Sequence, residues 1–495
     1  MAETMLEWLS SSDIEFKTVL DEDWGFYSST YNVRVPATPE VVILPATIDE
    51  VSRSVLFAAS FGLKVQARSG GHSYASHSNG GVDGAAVIDL RKFQDIVLDD
   101  DGIVRVGGGV RLGKLATTIF EQGGRALAHG HCPAVGVGGH FTHGGFGLMS
   151  RAWGLAMDQI TKLQVVTADG RVVTASESEN QELFMAMRGA ADSFGIVVNF
   201  YLRTQLAPKS IVYLTIDDEQ AMKSVGNAVA AFERLQKFVN NERFVDEGLG
   251  IVVFLAHCRF TLHGTYLGDV EDFASVILPG LLLEFPRDGA IKVELRQVDW
   301  PMLLRLMAGG ADLDVSPRYA EHRMFFAKSA TVSQPGLSRE AIENYFGNLF
   351  QGGRAAVIGY FIGIQLLGGC GSRITANTTD DSFGHRDALW IFQHYGFVDD
   401  KVEFPEEGIW FVEDLNDALG PEHGASNNYA DPSLKRDEAL KLYYGMKLER
   451  LIELKARFDP QDVFSHPQSV RKLSVSGADV NEGGDGRMAT NGISR

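Results

Sequence analysis

Two short glycine-rich segments decide the fold of this chain: RSGGHSY at residues 68–74 and GHCPAVGVGGH at residues 130–140. Each sets one nucleophilic side chain, His72 or Cys132, beside backbone without Cβ atoms that a ligand can approach closely. Glycine-rich loops with free N–H groups are typical of phosphate-binding turns. The pair therefore predicts two loops that lie against one ligand, each with a side chain able to bond to it.

The second segment is also rich in possible metal ligands, and three interpretations compete for it. The spacings His-x-His-Cys and His-x-x-His suit zinc, with candidate ligands His129, His131, Cys132, His140 and His143. A structural turn with solvated histidines is the second interpretation. We prefer a cofactor loop and expect no metal, because the glycines let a flat or anionic group lie against the main chain. A His and a Cys held against one cofactor suggest two covalent attachments, which indicates a flavin enzyme.

Length and composition limit the class of protein. A chain of 495 residues is too long for one ordinary core, so two domains are expected. The net charge of −19 argues against nucleic acid or an anionic membrane as a partner, and no stretch is apolar enough to span a bilayer. Residues 1–12 lack the features of a signal peptide, so the expected localisation is cytoplasmic, or secreted with the signal removed. Whether Cys258 and Cys370 pair is left open.

Periodicity predicts a mixed α+β unit over residues 37–207. Thr47 to Glu50 has the form of a capping box and begins a helix that ends at Gly62. A strand at 64–68 then leads into the first glycine-rich loop, and the end of a strand is a usual position for a ligand. Further strands are predicted at 86–90, 103–106, 163–167, 171–175 and 195–200, and helices over 112–120 and, capped by Asn180, over 183–189.

A second α+β domain is predicted over residues 208–425, with apolar strands at 250–255 and 356–367 and a helix over 338–346. Apolar residues between Leu440 and Leu454 predict one long helix that ends near Asp459-Pro460. The segment 426–475 is expected to complete the first domain. The glycine-rich, polar residues 476–495 are predicted to be disordered.

Further motifs accompany the two loops: GLAMDQI at 154–160, FGIV at 194–197, and a C-terminal run from NYAD at 428–431 to PQSV at 467–470. Over roughly residues 5–473 the chain resembles the berberine-bridge-enzyme-like branch of the vanillyl-alcohol-oxidase superfamily. Within it, the fungal glucooligosaccharide oxidases and related carbohydrate oxidases are the most similar group. The resemblance implies an α+β fold with two domains: an FAD-binding domain of the p-cresol methylhydroxylase type and an α+β substrate domain.

The resemblance implies covalent FAD, attached from His72 to the flavin 8α-methyl carbon and from Cys132 to flavin C6. Residues 68–72 are expected at the pyrophosphate and ribityl chain. Val135 matches the position through which family members admit O2, and a small side chain there favours an oxidase. The expected FAD-binding residues are His72, Cys132, Arg68, Ser69, Gly70, Gly71, Ser73, Val135, Val137, Gly138, Gly139, His140, Gly154, Asp158, Ile196, Val197 and Gln468.

The resemblance also implies catalytic roles. Tyr429 is expected to take the proton of a substrate hydroxyl while the adjacent C–H leaves as hydride to flavin N5. Because a phenol has a pKa of about 10, a nearby cation or the oxidised flavin must lower it. Gln393, Gln365 and Tyr74 complete the expected catalytic set.

Three departures from the sugar oxidases bear on the substrate. Neutral Gln365 replaces a carboxylate, Pro301 stands where an aromatic platform is expected, and Phe146 replaces a tyrosine. The expected function is an FAD-dependent oxidase acting on a carbinol or hemiacetal carbon, with O2 reduced to H2O2. An oligosaccharide oxidised at its reducing end to a lactone is the first candidate substrate. A tailoring oxidase for a polyketide or alkaloid and a non-redox flavoprotein are the alternatives.

Overall fold

The computed structural model of the protein describes residues 2–256, 259–283, 291–316, 321–421 and 423–472. Cys258 and the predicted disordered tail lie outside these ranges. Among the described residues, no helix is both long and apolar enough to cross a bilayer.

The N-terminal part of the chain contains eleven strands and seven helices. The strands are β1 (Phe16–Lys17), β2 (Val41–Ile43), β3 (Val65–Arg68), β4 (Ala86–Asp89), β5 (Ile96–Leu98), β6 (Ile103–Gly107), β7 (Arg125–Ala126), β8 (Ile160–Val166), β9 (Val172–Ser176), β10 (Ile196–Arg203) and β11 (Gln205–Leu206). The helices are α1 (Ala2–Ser11), α2 (Trp24–Ser28), α3 (Ile48–Ser60), α4 (Leu112–Gly123), α5 (Val137–Thr142), α6 (Ser150–Trp153) and α7 (Gln181–Ala190).

These strands form two main sheets. The first has the order β1-β2-β4-β3, with β2, β4 and β3 parallel, and the second is an antiparallel sheet with the order β5-β6-β10-β8-β9. In α3 the Thr47 hydroxyl accepts a hydrogen bond from the Glu50 N–H, which caps the helix as predicted. The first glycine-rich loop begins where β3 ends, so the sheet fixes the point at which the loop enters.

The described residues of the following part contain seven strands and seven helices. The strands are β12 (Ile211–Asp218), β13 (Leu249–Ala256), β14 (Arg259–Tyr266), β15 (Ile291–Val298), β16 (Met324–Ser333), β17 (Gly359–Leu366) and β18 (Ala388–Val398). The helices are α8 (Val225–Val239), α9 (Val270–Asp272), α10 (Leu278–Leu282), α11 (Trp300–Met307), α12 (Arg339–Ala355), α13 (Arg373–Ala376) and α14 (Glu406–Asp417).

One antiparallel sheet joins all seven strands in the order β15-β12-β14-β13-β17-β18-β16. Because side chains alternate between faces along a strand, one face packs with α8, α12 and α14 in a large apolar core. The other face presents Gln365 and Gln393. The register pairs Gly363 with Gln393 and Val252 with Gln365, which sets the two glutamines on neighbouring strands of the same face.

Two local predictions are wrong. The long C-terminal helix is divided into α15 (Arg436–Tyr444) and α16 (Leu448–Phe458), because Gly445 adopts φ +50° and ψ −127° between them. Asn180 precedes α7 but does not cap it; its side chain instead donates to the carbonyl of Thr174. Periodicity cannot detect either event, since both depend on a single backbone angle.

Candidate active site

The two glycine-rich loops touch each other backbone to backbone. A Cβ atom on Gly70 would lie 2.3 Å from the nitrogen of Gly136, and a Cβ on Gly136 would lie 2.1 Å from the nitrogen of Gly70. Neither position therefore tolerates a side chain without movement of the main chain. The Ser69 hydroxyl accepts a hydrogen bond from the Gly138 N–H at 3.2 Å and adds a polar link. This contact brings His72 and Cys132 to one cavity.

The cavity has a volume of about 450 Å³ and runs from the loops to the face of the seven-stranded sheet. It contains most of the residues that the sequence indicated. Those that line it are His72, Cys132, Ser69, Gly70, Gly71, Ser73, Val135, Gly138, Gly139, His140, Val197, Tyr74, Gln365, Gln393 and Tyr429.

Six expected cofactor residues do not line this cavity. Arg68 is buried and paired with Asp89, with 2.7 Å between Nε and Oδ2. Asp158 accepts from Leu155 N–H and is paired with Arg386 at 2.5 Å, beside Gly154. The other three are buried supports: Val137 and Ile196 in apolar cores, and Gln468 in hydrogen bonds to the carbonyls of Asp431 and Leu434.

The histidines of the second loop are held by the backbone. His140 Nε2 accepts a hydrogen bond from the Gly130 N–H at 2.9 Å, which occupies the lone pair a metal would need. Burial lowers the pKa of His140 to about 3. His129 Nδ1 contacts the Gly130 carbonyl at 2.8 Å. These contacts favour a supporting role for both rings over the zinc interpretation.

The two side chains expected to hold flavin differ in protonation. Desolvation, together with the charge of Arg111, lowers the pKa of His72 to about 4, so its imidazole is neutral at pH 7. Desolvation raises the pKa of the Cys132 thiol. His72 thus offers a free nucleophilic nitrogen, whereas Cys132 must lose a proton before it can bond.

Two pairs of polar side chains face the opposite end of the cavity. Gln365 Nε2 donates to the phenol oxygen of Tyr429 at 2.7 Å, and Gln393 Nε2 donates to the phenol oxygen of Tyr74 at 2.9 Å. The two phenol rings lie 5.7 Å apart. Burial raises the pKa of Tyr429, and the Gln365 hydrogen bond acts in the opposite direction. Gln365 is therefore placed to stabilise a phenolate at Tyr429.

An aromatic wall surrounds this end. Tyr31, which the sequence did not single out, lines the cavity and lies 4.6 Å from the His72 ring. The remaining rings of the wall are Phe146, Phe254 and Phe361. Among the described residues that line the cavity, the one carboxylate is Asp192, which lies at the loop end. The substrate end is therefore polar through amides and phenols rather than through charge.

The loop that carries Tyr429 is attached to edge strand β16. The Gly424 N–H donates to Thr331 Oγ1 at 3.1 Å and the Ser426 N–H donates to Ser329 Oγ at 3.0 Å. On the other side, Asn428 Oδ1 accepts from the Gly145 N–H at 3.0 Å. The phenol is thus held between the sheet and the glycine-rich segment.

Comparison with known proteins agrees with this architecture. Residues 39–176 match the family described as FAD binding domain, and residues 427–471 match the family described as berberine and berberine like. A chitooligosaccharide oxidase of Gibberella zeae is 32% identical over 459 residues, covering 91% of each chain.

Two solved structures extend the comparison. The xylooligosaccharide oxidase of Myceliophthora thermophila C1, in complex with xylobiose, superposes with a TM-score of 0.90 at 33% identity and covers 95% of this chain and 100% of the other. The glucooligosaccharide oxidase of Acremonium strictum, studied for its 6-S-cysteinyl, 8α-N1-histidyl FAD, gives a TM-score of 0.89 at 31% identity, covering 95% and 99%.

The chain is an FAD-linked oxidoreductase of the berberine-bridge-enzyme-like family, built on the FAD-binding fold of the p-cresol methylhydroxylase type. The resemblance and the fold class inferred from the sequence are thereby confirmed. The cavity suits FAD: the space beside Gly139 is open at its loop end, and His72 and Cys132 line it together.

Proposed function

We propose that the protein is an oxidase with bicovalently attached FAD that converts a carbinol or hemiacetal carbon to a carbonyl and reduces O2 to H2O2. The first candidate substrate is an oligosaccharide, oxidised at its reducing end to a lactone. The observation that carries the proposal is the placement of His72, Cys132 and the Gln365–Tyr429 pair around one cavity. The oligosaccharide oxidases with which the chain shares its fold support the substrate class.

When bound, FAD supplies the acceptor for the hydride that leaves the substrate carbon. Tyr429 takes the proton from the substrate hydroxyl at its phenol oxygen, and the amide of Gln365 stabilises the phenolate required for that transfer. Gln393 fixes the Tyr74 hydroxyl, whose remaining hydrogen-bonding capacity faces the substrate. The aromatic wall excludes water and provides faces for a sugar ring or another flat substrate.

Covalent attachment is tested by acid denaturation. The pellet of the wild-type protein should keep its yellow colour, as should the pellets of His72→Ala and Cys132→Ala, because each retains one bond. The pellet of the double variant should be colourless, with free FAD in the supernatant. A colourless wild-type pellet would contradict the proposed attachment.

The reaction is tested by O2 consumption on a panel of gluco-, xylo- and chitooligosaccharides beside phenolic and polyketide alcohols. Tyr429→Phe keeps the ring and should lower flavin reduction by substrate about 10²–10⁴-fold, with FAD loading unchanged. Tyr444→Phe is the matched control, since its buried hydroxyl bonds Asn427. A Tyr429→Phe variant that reduces its flavin as fast as wild type excludes this residue as the base.

A second candidate, oxidation of a small polyketide or alkaloid, is favoured by the composition of the substrate end. A protein binds the many hydroxyls of a sugar with polar side chains, among them carboxylates. Here a neutral glutamine replaces a carboxylate, and aromatic rings dominate the lining of the substrate end. The same panel separates the two candidates. Turnover of aromatic alcohols without turnover of any oligosaccharide would select the second.

A further inference from the structure

Four ionisable side chains from four separate segments meet at the loop end of the cavity. Asp192 Oδ2 lies 3.2 Å from His143 Nε2 and 3.1 Å from His466 Nε2. The ring of His77 stacks on that of His466 with 3.8 Å between centroids. We call His77, His143, Asp192 and His466 the histidine cluster. Three of its members, His77, His143 and Asp192, line the cavity.

Two of these residues form a buried pair of opposite charge. His143 Nδ1 contacts the Gly139 carbonyl at 3.0 Å, and Nε2 lies within ion-pair distance of the Asp192 carboxylate, which favours the imidazolium form of the ring. Asp192 raises the pKa of His143, although burial opposes this, and the histidines hold the pKa of Asp192 well below its usual range. The two charges cancel within the pair.

His77 is neutral in this arrangement, and one proton of His466 has a fixed position. The Gln468 N–H donates to His466 Nδ1 at 3.2 Å, so the proton of His466 is on Nε2, which faces Asp192. Burial, and the neighbouring His466, lower the pKa of His77 well below its usual value. The charged or titratable groups that face His77 are His466, Asp192 and His143. His77 is therefore the member whose charge is free to change.

A metal ion is not the best occupant, although the ligand atoms of His77, Asp192 and His466 lie within 4.8 Å of one another. The His77 and His466 rings contact each other directly, with 3.8 Å between centroids and a tilt of 31° between their planes. His466 Nδ1 already accepts a backbone hydrogen bond, which fixes the proton on the nitrogen that would have to bind the metal.

The charge of the cofactor points to a different ligand. The pyrophosphate of FAD carries two negative charges, yet no Lys or Arg is among the described residues that line the cavity. The imidazoles that line it are His72, His77, His131, His140 and His143. His140 accepts a backbone hydrogen bond and His143 is already charged and paired. His77 follows the first loop by one turn, and its backbone N–H donates to the Ser73 hydroxyl at 2.9 Å. Its ring is therefore best placed to become a cation beside an anion.

We propose that the histidine cluster is the electrostatic part of the FAD pyrophosphate site, and that FAD binding is coupled to the uptake of a proton at His77. His143, Asp192 and His466 keep the His77 ring in place and leave its protonation open to the ligand. An anion beside His77 raises its pKa. Between the pKa of the free and of the bound form, FAD affinity falls as pH rises, by at most about tenfold per pH unit for one proton.

The test uses the full chain with His72→Ala and Cys132→Ala, so that FAD binds reversibly whether or not the wild-type protein is flavinylated. FAD dissociation constants are measured by fluorescence titration from pH 5.5 to about 9. The parent should bind more weakly as pH rises. Adding His77→Gln should remove this dependence and weaken binding most at the acid end, by about tenfold for each unit by which bound FAD raises the pKa of His77.

Two controls make the outcome specific. Riboflavin, which lacks the pyrophosphate, should bind parent and His77→Gln equally, and His263→Gln on β14 should leave the FAD profile unchanged. A pH-independent FAD affinity in the parent, or equal effects of His77→Gln on FAD and riboflavin, would overturn the proposal. So would stoichiometric binding of ZnCl2 alone that His77→Gln abolishes.

A second measurement applies if the apoprotein does not fold. The ³¹P resonances of FAD in the holoenzyme should then shift with pH in wild type and not in His77→Gln. Identical titration curves for the two proteins would equally refute the assignment.

Discussion

Lys328 on β16 forms an ion pair with Asp431, with 2.9 Å between Nζ and Oδ2, and this pair joins the seven-stranded sheet to the loop that carries Tyr429. The pair is largely withdrawn from water, since the two side chains are 14% and 4% exposed. The other carboxylate oxygen of Asp431 accepts from Ser433 N–H at 2.9 Å, and its carbonyl accepts from Gln468 at 2.6 Å. Asp431 therefore connects the proposed base to both halves of the molecule.

Asp431→Asn should lower kcat more than it changes KM. The amide keeps an acceptor for Ser433 but loses the attraction to Lys328, so the phenol of Tyr429 is held less firmly, and small misplacements of this kind cost about 10²-fold. FAD content should be unchanged, and Lys328→Arg should retain activity. Asp169→Asn, which breaks an exposed pair with Arg171, is the control. Wild-type kcat in Asp431→Asn would show that the pair does not position the base.

Gln365→Leu should move the pH profile of flavin reduction to more alkaline pH. The rate rises with pH as Tyr429 loses its proton, and Gln365 lowers the pKa of that phenol. Without the donor the pKa of Tyr429 is higher, so the rising limb of the profile moves to higher pH. Gln393→Leu, which removes the equivalent bond to Tyr74, should change KM and leave the limb in place. Coincident profiles for wild type and Gln365→Leu would refute the assignment.

Gln365→Asp should lower KM for oligosaccharides if the cavity binds sugars. It adds a carboxylate to a substrate end where the described lining residues have none, and carboxylates accept strong hydrogen bonds from sugar hydroxyls. Steady-state kinetics with cellobiose and xylobiose measures the effect. The opposite result, lost oligosaccharide activity with aromatic alcohols still oxidised, favours the second candidate substrate class.

Val135→Leu should slow the reaction of reduced flavin with O2 and leave reduction by substrate nearly unchanged. Val135 lines the cavity three residues beyond Cys132, and its carbonyl accepts from the Leu112 N–H at 2.9 Å, so its side chain has little freedom to move aside. One added methylene then narrows a path that O2 alone needs. Stopped-flow reoxidation is the measurement, with Val137→Leu in the buried core as a comparison for general packing effects. Unchanged reoxidation in Val135→Leu would remove its proposed role.

Local features of this protein were predictable from the sequence, and long-range contacts were not. The strand before Arg68, the loop after it and the capped helix α3 follow from periodicity and glycine placement, which act over a few residues. Tyr31 reaches His72 only through the fold, and nothing near it in sequence marks it. The pairing of Lys328 with Asp431 likewise joins residues about a hundred positions apart.

The six expected cofactor residues that do not line the cavity remain predictions, and the structure shows only their contacts within the protein. Asp158 and Gln468 belong to motifs that resemble the family, but the structure uses them to hold loops in place, through Arg386 and through the Asp431 carbonyl. A motif shared with a family indicates that the local structure around it is similar to that of the family. It does not distinguish a side chain that contacts the ligand from one that supports the contacting loop.

Arg151→Met should destabilise the protein strongly. The guanidinium is fully buried and donates to four carbonyls: Gly368 and Asp246, each at 2.9 Å, Leu249 and Cys370. Burial lowers the pKa of Arg151 to about 10, so the side chain is still a cation at pH 7. The atoms that accept its hydrogen bonds are the oxygens of these four carbonyl groups. Met fills the space but leaves four buried carbonyls without this donor, and each acceptor left unpaired costs about 1–3 kcal/mol. Since Gly368 follows the strand that carries Gln365, activity should fall with stability.

Urea unfolding measures the change in stability of Arg151→Met. The control Arg450→Met, which removes an exposed pair with Asp380, should cost no more than about 1 kcal/mol. Equal midpoints for the two variants would mean that Arg151 does not link the FAD-binding part to the substrate sheet.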